Sequence, residues 1–175
     1  DSTSGGVFST LANYFFEQGA YVAGAIYDND FSLKGIITKN RSLLPQIRSS
    51  KYLQNDPHEQ YLKIKELLKS GEKVFICSTP CQIAGLLNFL DKRYDNLYTA
   101  DFICKGVSSP LLFRKYLGSL ESKYHSKVKN VKFKYKDRSH PWGQLATKIE
   151  FENGSFYLKN KSEDTYMTTF LDTGF

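Results

Sequence analysis

The sequence predicts an α/β fold: a mostly parallel or mixed sheet flanked by helices, with an antiparallel β appendage towards its C-terminal end. Three observations predict it. Segments of strand and helix character alternate from residue 7 to about residue 120. Within that stretch a strand–turn–helix unit occurs twice, at 73–90 and at 97–120. From Val131 the apolar period then falls to two, the period of half-buried strands. With 175 residues and 41% hydrophobic side chains, one core of ordinary size can be filled. A single domain over 1–175 is therefore expected, an α/β core at 1–125 followed by a β appendage and the start of a helix at 126–175.

Val7 to Gln18 places Val7, Phe8, Leu11, Phe15 and Phe16 near the helical period, and Gly19 supplies a stop, so the first helix lies there. Tyr21–Tyr27 and Leu33–Thr38 are short β-prone runs separated by Asp28-Asn29-Asp30, a turn composition that suits a hairpin. Asp56-Pro57 opens a helix reaching about Ser70, with Tyr61, Ile64, Leu67 and Leu68 on one face. Lys73–Cys77 is a short buried strand. Ser78-Thr79-Pro80 then supplies an N-cap and a first-turn proline for a helix through Ile83, Leu86, Leu87 and Leu90. Leu97–Cys104 is the next strand, and Ser109-Pro110 opens a helix through Leu112, Phe113, Tyr116, Leu117 and Leu120. About three antiparallel strands follow, with Asn153-Gly154 as a hairpin turn, and a last helix starts at Asp164–Leu171.

Composition excludes several classes. Thirteen Phe and 12 Tyr give far more buriable surface than a disordered chain carries. The net charge of +6 is spread along the chain and favours anionic ligands only weakly. The basic run Lys127–Lys136 alternates with apolar residues, which marks the exposed face of a strand, and no nucleic-acid reading motif accompanies it. No apolar run approaches the ~20 residues of a membrane span, and no export signal is visible. A cytoplasmic protein is expected. Asp1–Gly6 already reads as a working loop, and Phe170–Phe175 stops inside an apolar segment, so the chain reads as a piece of a longer protein.

Three cysteines, Cys77, Cys81 and Cys104, are too few and too odd in number for a disulfide framework. Cys81 falls in the first turn of a helix, where the dipole and unpaired amides favour a thiolate. Cys104 ends the neighbouring predicted strand, so the two could converge, as a metal or iron–sulphur cluster requires. The alternative is that all three are buried small hydrophobes, and for Cys77, at the end of an apolar strand, that reading leads. The spacing of Cys77 and Cys81 departs from the C-x-x-C of redox dithiols. Ser2-Thr3-Ser4-Gly5-Gly6 runs straight into the first helix; it is either a phosphate-approaching loop or an ordinary capping turn. Lys51-Tyr52 either contacts a cofactor or belongs to a solvated loop. His58, His125 and His140 lack metal-ligand spacing and receive no catalytic role, and His140-Pro141-Trp142-Gly143 reads as a turn.

Taken together, Ser4-Gly5-Gly6-Val7-Phe8, Ser50-Lys51-Tyr52-Leu53-Gln54, Thr79-Pro80-Cys81-Gln82-Ile83-Ala84-Gly85-Leu86 and Asp101-Phe102-Ile103-Cys104-Lys105-Gly106-Val107 resemble the coenzyme F420 hydrogenase/dehydrogenase beta-subunit family. The motifs stand in the family's order and cover residues 1 to about 120. The resemblance implies an iron–sulphur flavoprotein oxidoreductase with FAD and one [4Fe–4S] cluster. Such a protein exchanges electrons with a deazaflavin (coenzyme F420), another redox small molecule, or a ferredoxin-like domain or subunit. Carried over position by position, it makes Ser4, Gly5 and Gly6 the flavin diphosphate loop, with Lys51 and Tyr52 nearby. Thr79, Pro80 and Gln82 become cofactor-binding, and Cys81 and Cys104 cluster ligands. The family's other two ligands come from a C-x-x-C beyond the equivalent of Phe175, so this stretch supplies two of the four thiolates a cluster takes and would not hold it in the family's manner alone. Ser78 stands where Gly is common, and Lys105 where His is common. A non-catalytic interaction or scaffold domain that keeps the fold without the cofactors is the second reading. A transferase using a nucleotide-type anion at the Gly loop is the third.

Overall fold

The computed structural model describes residues 5–139 and 145–172, and the chain divides into two compact units, residues 1–48 with 55–104, and 49–54 with 105–175. In the first unit, helix α1 (Val7–Glu17) leads through a Gly19 turn to β1 (Tyr21–Tyr27), which makes an antiparallel hairpin with β2 (Leu33–Thr38). A 3-10 turn at Arg41–Leu43 and the short α2 (Leu44–Ile47) follow, then the two-residue β3 (Asn55–Asp56), α3 (His58–Lys69), β4 (Val74–Ser78), α4 (Pro80–Phe89) and β5 (Leu97–Asp101). The sheet order is β3-β2-β1-β4-β5, parallel except at the β1–β2 pair, which is the expected mixed sheet.

Both faces of this sheet are covered because its central strands are apolar throughout. Val74, Phe75 and Ile76 are all buried. On one side Ile64, Leu67 and Leu68 of α3 and Ile83 and Leu86 of α4 pack with Val74 and Ile76. On the other, Ala12 and Phe15 of α1 pack with Val22 and Phe75, the Phe15 and Phe75 rings stacking at 4.6 Å. Gln60 is the polar exception: its Nε2 donates to the carbonyls of Gly24 at 2.8 Å and Ile36 at 3.0 Å.

The second unit holds α5 (Pro110–Tyr124), β6 (Val128–Tyr135), β7 (Ala146–Phe151), β8 (Phe156–Asn160) and α6 (Thr165–Asp172). The three strands form an antiparallel sheet in the order β6-β7-β8, with Gly154 at φ 85° in the β7–β8 turn. Helix α5, grouped with the α/β core in the sequence reading, belongs to this unit: Phe113 and Tyr116 lie within 5.1 Å of the Tyr166 ring of α6. Apart from residues 49–54, this unit begins at Lys105. Asp164 is fully buried at the start of α6. Its carboxylate accepts from the Tyr116 hydroxyl at 2.5 Å, the Tyr157 hydroxyl at 2.9 Å and the Met167 N–H at 2.7 Å. Burial and the adjacent carboxylate push both phenols well above the usual tyrosine range. Ser108 and Tyr166 touch through their hydroxyls, and both donate to the Tyr52 carbonyl.

Candidate functional site

The carboxyl edge of the five-stranded sheet gathers the chemistry-bearing residues. Strands β4 and β5 pair in parallel from Val74↔Leu97 to Ser78↔Asp101. Cys81 and Cys104 each lie three residues beyond that last pair, at the same edge of neighbouring strands. Ligands of open α/β sheets bind at this edge. The sequence placed the end of the second strand at Cys104, whereas pairing stops at Asp101. The reason is its neighbour: after Ser78 the chain turns into α4, and no β4 backbone remains for residues 102–104 to pair with.

Helix α1 brings its N-terminus to the same edge. It packs back along β1 and joins it through Gly19, so its first turn lies where β1 ends. Phe8 in that turn stacks on Phe75 at 6.3 Å. Gly5 and Gly6 precede the helix with φ 64° and 88°, a left-handed conformation in which a side chain would be strained. Among the described residues a Cβ on Gly5 would meet nothing within 4 Å, so the backbone is open to close approach. Ser4 lies outside the described residues.

Cys81 is exposed and is the second residue of α4, after Pro80. Thr79 is the N-cap residue, but its side chain makes no capping bond; Oγ1 sits 3.2 Å from Cys81 Sγ instead. The next side chain is a hub. Gln82 Oε1 accepts from the Ser78 hydroxyl, its Nε2 donates to Asn55 Oδ1 at 2.6 Å, and its carbonyl accepts from Tyr61 Oη at 2.5 Å. Of the residues predicted to bind a cofactor, Gln82 thus has both ends of its amide engaged within the chain, and Pro80 has no N–H to offer. Asn55 and Tyr61 were not singled out in the sequence; a two-residue strand carries no period, and Tyr61 reads only as one more apolar position on its helix.

Cys104 is half-buried on the coil after β5, beside the exposed Phe102 and Ile103. Cys77 differs in kind. It is half-buried in β4, and desolvation, with Asp101 adding to it, pushes its thiol up to about 11, which agrees with the reading of a packed small hydrophobe. Among the described residues no three Cys, His, Asp or Glu side chains are gathered for a metal ion. His58 begins α3, His125 is the left-handed C-cap of α5, and His140–Gly143 lie outside the described residues.

Lys51 and Tyr52 belong to the second unit. Lys51 Nζ donates to the Ser49 carbonyl at 2.9 Å, and desolvation lowers its ammonium to about 7. The Tyr52 ring packs on Phe133 at 5.4 Å and Phe170 at 5.3 Å. Neither residue is therefore in a freely solvated loop. Lys105 is exposed and donates to the Leu171 carbonyl near the end of α6.

No described helix is long and apolar enough to cross a membrane. No curated protein matches the chain. The family model for the C terminus of the coenzyme F420 hydrogenase/dehydrogenase beta subunit matches residues 71–169. The match takes in the Thr79–Leu86 and Asp101–Val107 motifs and runs on through the antiparallel sheet, while the motifs at 4–8 and 50–54 lie outside it. Since it spans more than half of the sequence and includes the cysteine-bearing edge just described, the chain belongs to the coenzyme F420 hydrogenase/dehydrogenase beta-subunit family.

Proposed function

We propose that this chain is the redox domain of an iron–sulphur flavoprotein oxidoreductase, passing electrons between FAD, a [4Fe–4S] cluster and a deazaflavin (coenzyme F420) or a ferredoxin-type partner. The observation that carries the reading is the register of β4 and β5, which sets Cys81 and Cys104 at one sheet edge, joined there by the glycine-led start of α1. The residues fit the groups: thiols suit iron, and a left-handed Gly pair without a side chain suits a diphosphate. FAD and the cluster, when bound, supply two-electron and one-electron exchange respectively.

The chain's own part is holding and orienting. Gly5 and Gly6 present backbone N–H groups, the α1 dipole favours a phosphate there, and Ser4 is kept as the third member of that loop. Cys81 and Cys104 are two of the thiolate ligands, with the Thr79 hydroxyl placed to donate to the Cys81 sulfur. Gln82 ties the strand end, α3 and β3 to the first turn of α4, which fixes where Cys81 stands. Lys51 and Tyr52 are retained as flavin-binding candidates.

Anaerobic incubation of the chain with FAD, ferrous iron, sulfide and dithiothreitol, the last supplying further thiolates, tests the reading. Flavin absorbance and iron retained after gel filtration, with the iron lost on Cys81→Ala plus Cys104→Ala, are expected. Retention of neither flavin nor iron rejects the proposal, and iron that survives the double substitution favours the scaffold reading.

A further inference from the structure

The second unit contains a half-open cleft of about 220 Å³ beside the antiparallel sheet, lined among others by Tyr52, Lys134, Thr147, Lys161, Met167 and Leu171. It coincides with a defect in that sheet. Lys132 pairs with Lys148 and Tyr135 with Ala146, so Phe133 and Lys134 on β6 face the single residue Thr147 on β7. That two-against-one count is a β-bulge, a device that bends a strand and re-aims a side chain. Lys134 takes the bulge at φ 53°, a left-handed conformation that strains a residue with a Cβ and that glycine would adopt without strain.

The side chains around the bulge have complementary characters. Lys134 Nζ stands 5.7 Å from the Tyr52 ring centroid. Thr147 is 1% exposed and lines the cleft. Lys161 is exposed and makes no ion pair among the described residues. Met167 and Leu171 add apolar wall, and the Leu171 carbonyl, which would repel an anion, is covered by Lys105 Nζ.

We propose that this cleft binds a small carboxylate with an apolar or aromatic body, its carboxylate between Lys134, Lys161 and the Thr147 hydroxyl and its body against Tyr52, Met167 and Leu171. Charge selects the anion, and the volume limits the body to about one ring. The site lies wholly within the second unit and is independent of the redox reading.

Benzoate is the probe, titrated into the chain by calorimetry and by methyl NMR. A one-to-one isotherm with a dissociation constant of about 1 mM is expected for a ligand of this size, with shifts at the Thr147, Met167 and Leu171 methyls. Benzyl alcohol, of the same shape without charge, should bind at least tenfold more weakly. Lys161→Glu, an exposed change that leaves the core alone, should weaken benzoate about tenfold or more. Lys134→Gly should raise the Tm by relieving the left-handed strain while weakening benzoate about as much, which separates a binding role from a structural one. No saturation below about 10 mM, shifts confined to other methyls, or unchanged binding in Lys161→Glu would each overturn the proposal.

Discussion

Two hydrogen-bond hubs, one in each unit, use similar partners to opposite ends. Gln82 sits at a sheet edge beside the exposed thiol of Cys81, and its bonding partners Ser78, Asn55 and Tyr61 are all neutral. Asp164 sits in a dry aromatic core, where a carboxylate collects two phenols and a backbone N–H. A neutral hub at an edge can position a neighbour without a large desolvation cost, whereas a buried carboxylate is tolerable only while every partner remains. The first arrangement serves a site. The second serves a fold.

The comparison can be broken by substitution. Asp164→Ala should be the most damaging: it strands two buried hydroxyls and removes the N-terminal cap of α6, a loss of about 3–5 kcal/mol in chemical denaturation of the full chain. A loss under about 1 kcal/mol would show that the carboxylate is not what orders that core. Tyr116→Phe removes one bond to it without opening a cavity and should cost about 1–2 kcal/mol in the same assay. Gln82→Leu should cost about 1 kcal/mol in stability yet change the alkylation rate of Cys81 several-fold, since the turn that carries the thiol loses its tie to Asn55 and Ser78. Equal stability loss with an unchanged rate would make Gln82 purely structural.

The smallest effect sharpens the contrast between Cys77 and Cys81. At pH 8 iodoacetamide should modify Cys81 at least tenfold faster than Cys77, as mass spectrometry of the peptides would read. Cys77 should also leave a trace in stability. Between an ordinary 9.0 and its folded value of about 11, the unfolded thiol releases its proton while the folded one keeps it. Stability therefore falls as pH rises through that window, and Cys77→Ala should flatten the slope there.

Much of this was legible in the sequence, for identifiable reasons. Leu33–Thr38 was read to the residue because turn-forming residues bound it, and Pro80 and Pro110 fixed two helix starts because a proline can occupy only the first turn. The adjacency of the two strands that lead to Cys81 and Cys104 was readable because successive strand–helix units pair their strands in parallel. Three things were hidden. The strand β3 has two residues and so no pattern. The Asp164 hub joins residues 48 and 7 positions apart with no spacing that marks them. The bulge at Lys134 sits in a run that alternates as any strand does, and only the pairing with β7 exposes the extra residue.

The placement of 49–54 with the later half of the chain has its own consequence for biosynthesis. Tyr52 leaves the ribosome 114 residues ahead of Tyr166, the hydroxyl that binds its carbonyl. That hexapeptide must wait, tethered between parts of the first unit, until translation delivers its partners. It follows that neither half can be released by one protease cut: a nick at 104/105 leaves a strand-sized piece of the second unit covalently held by the first.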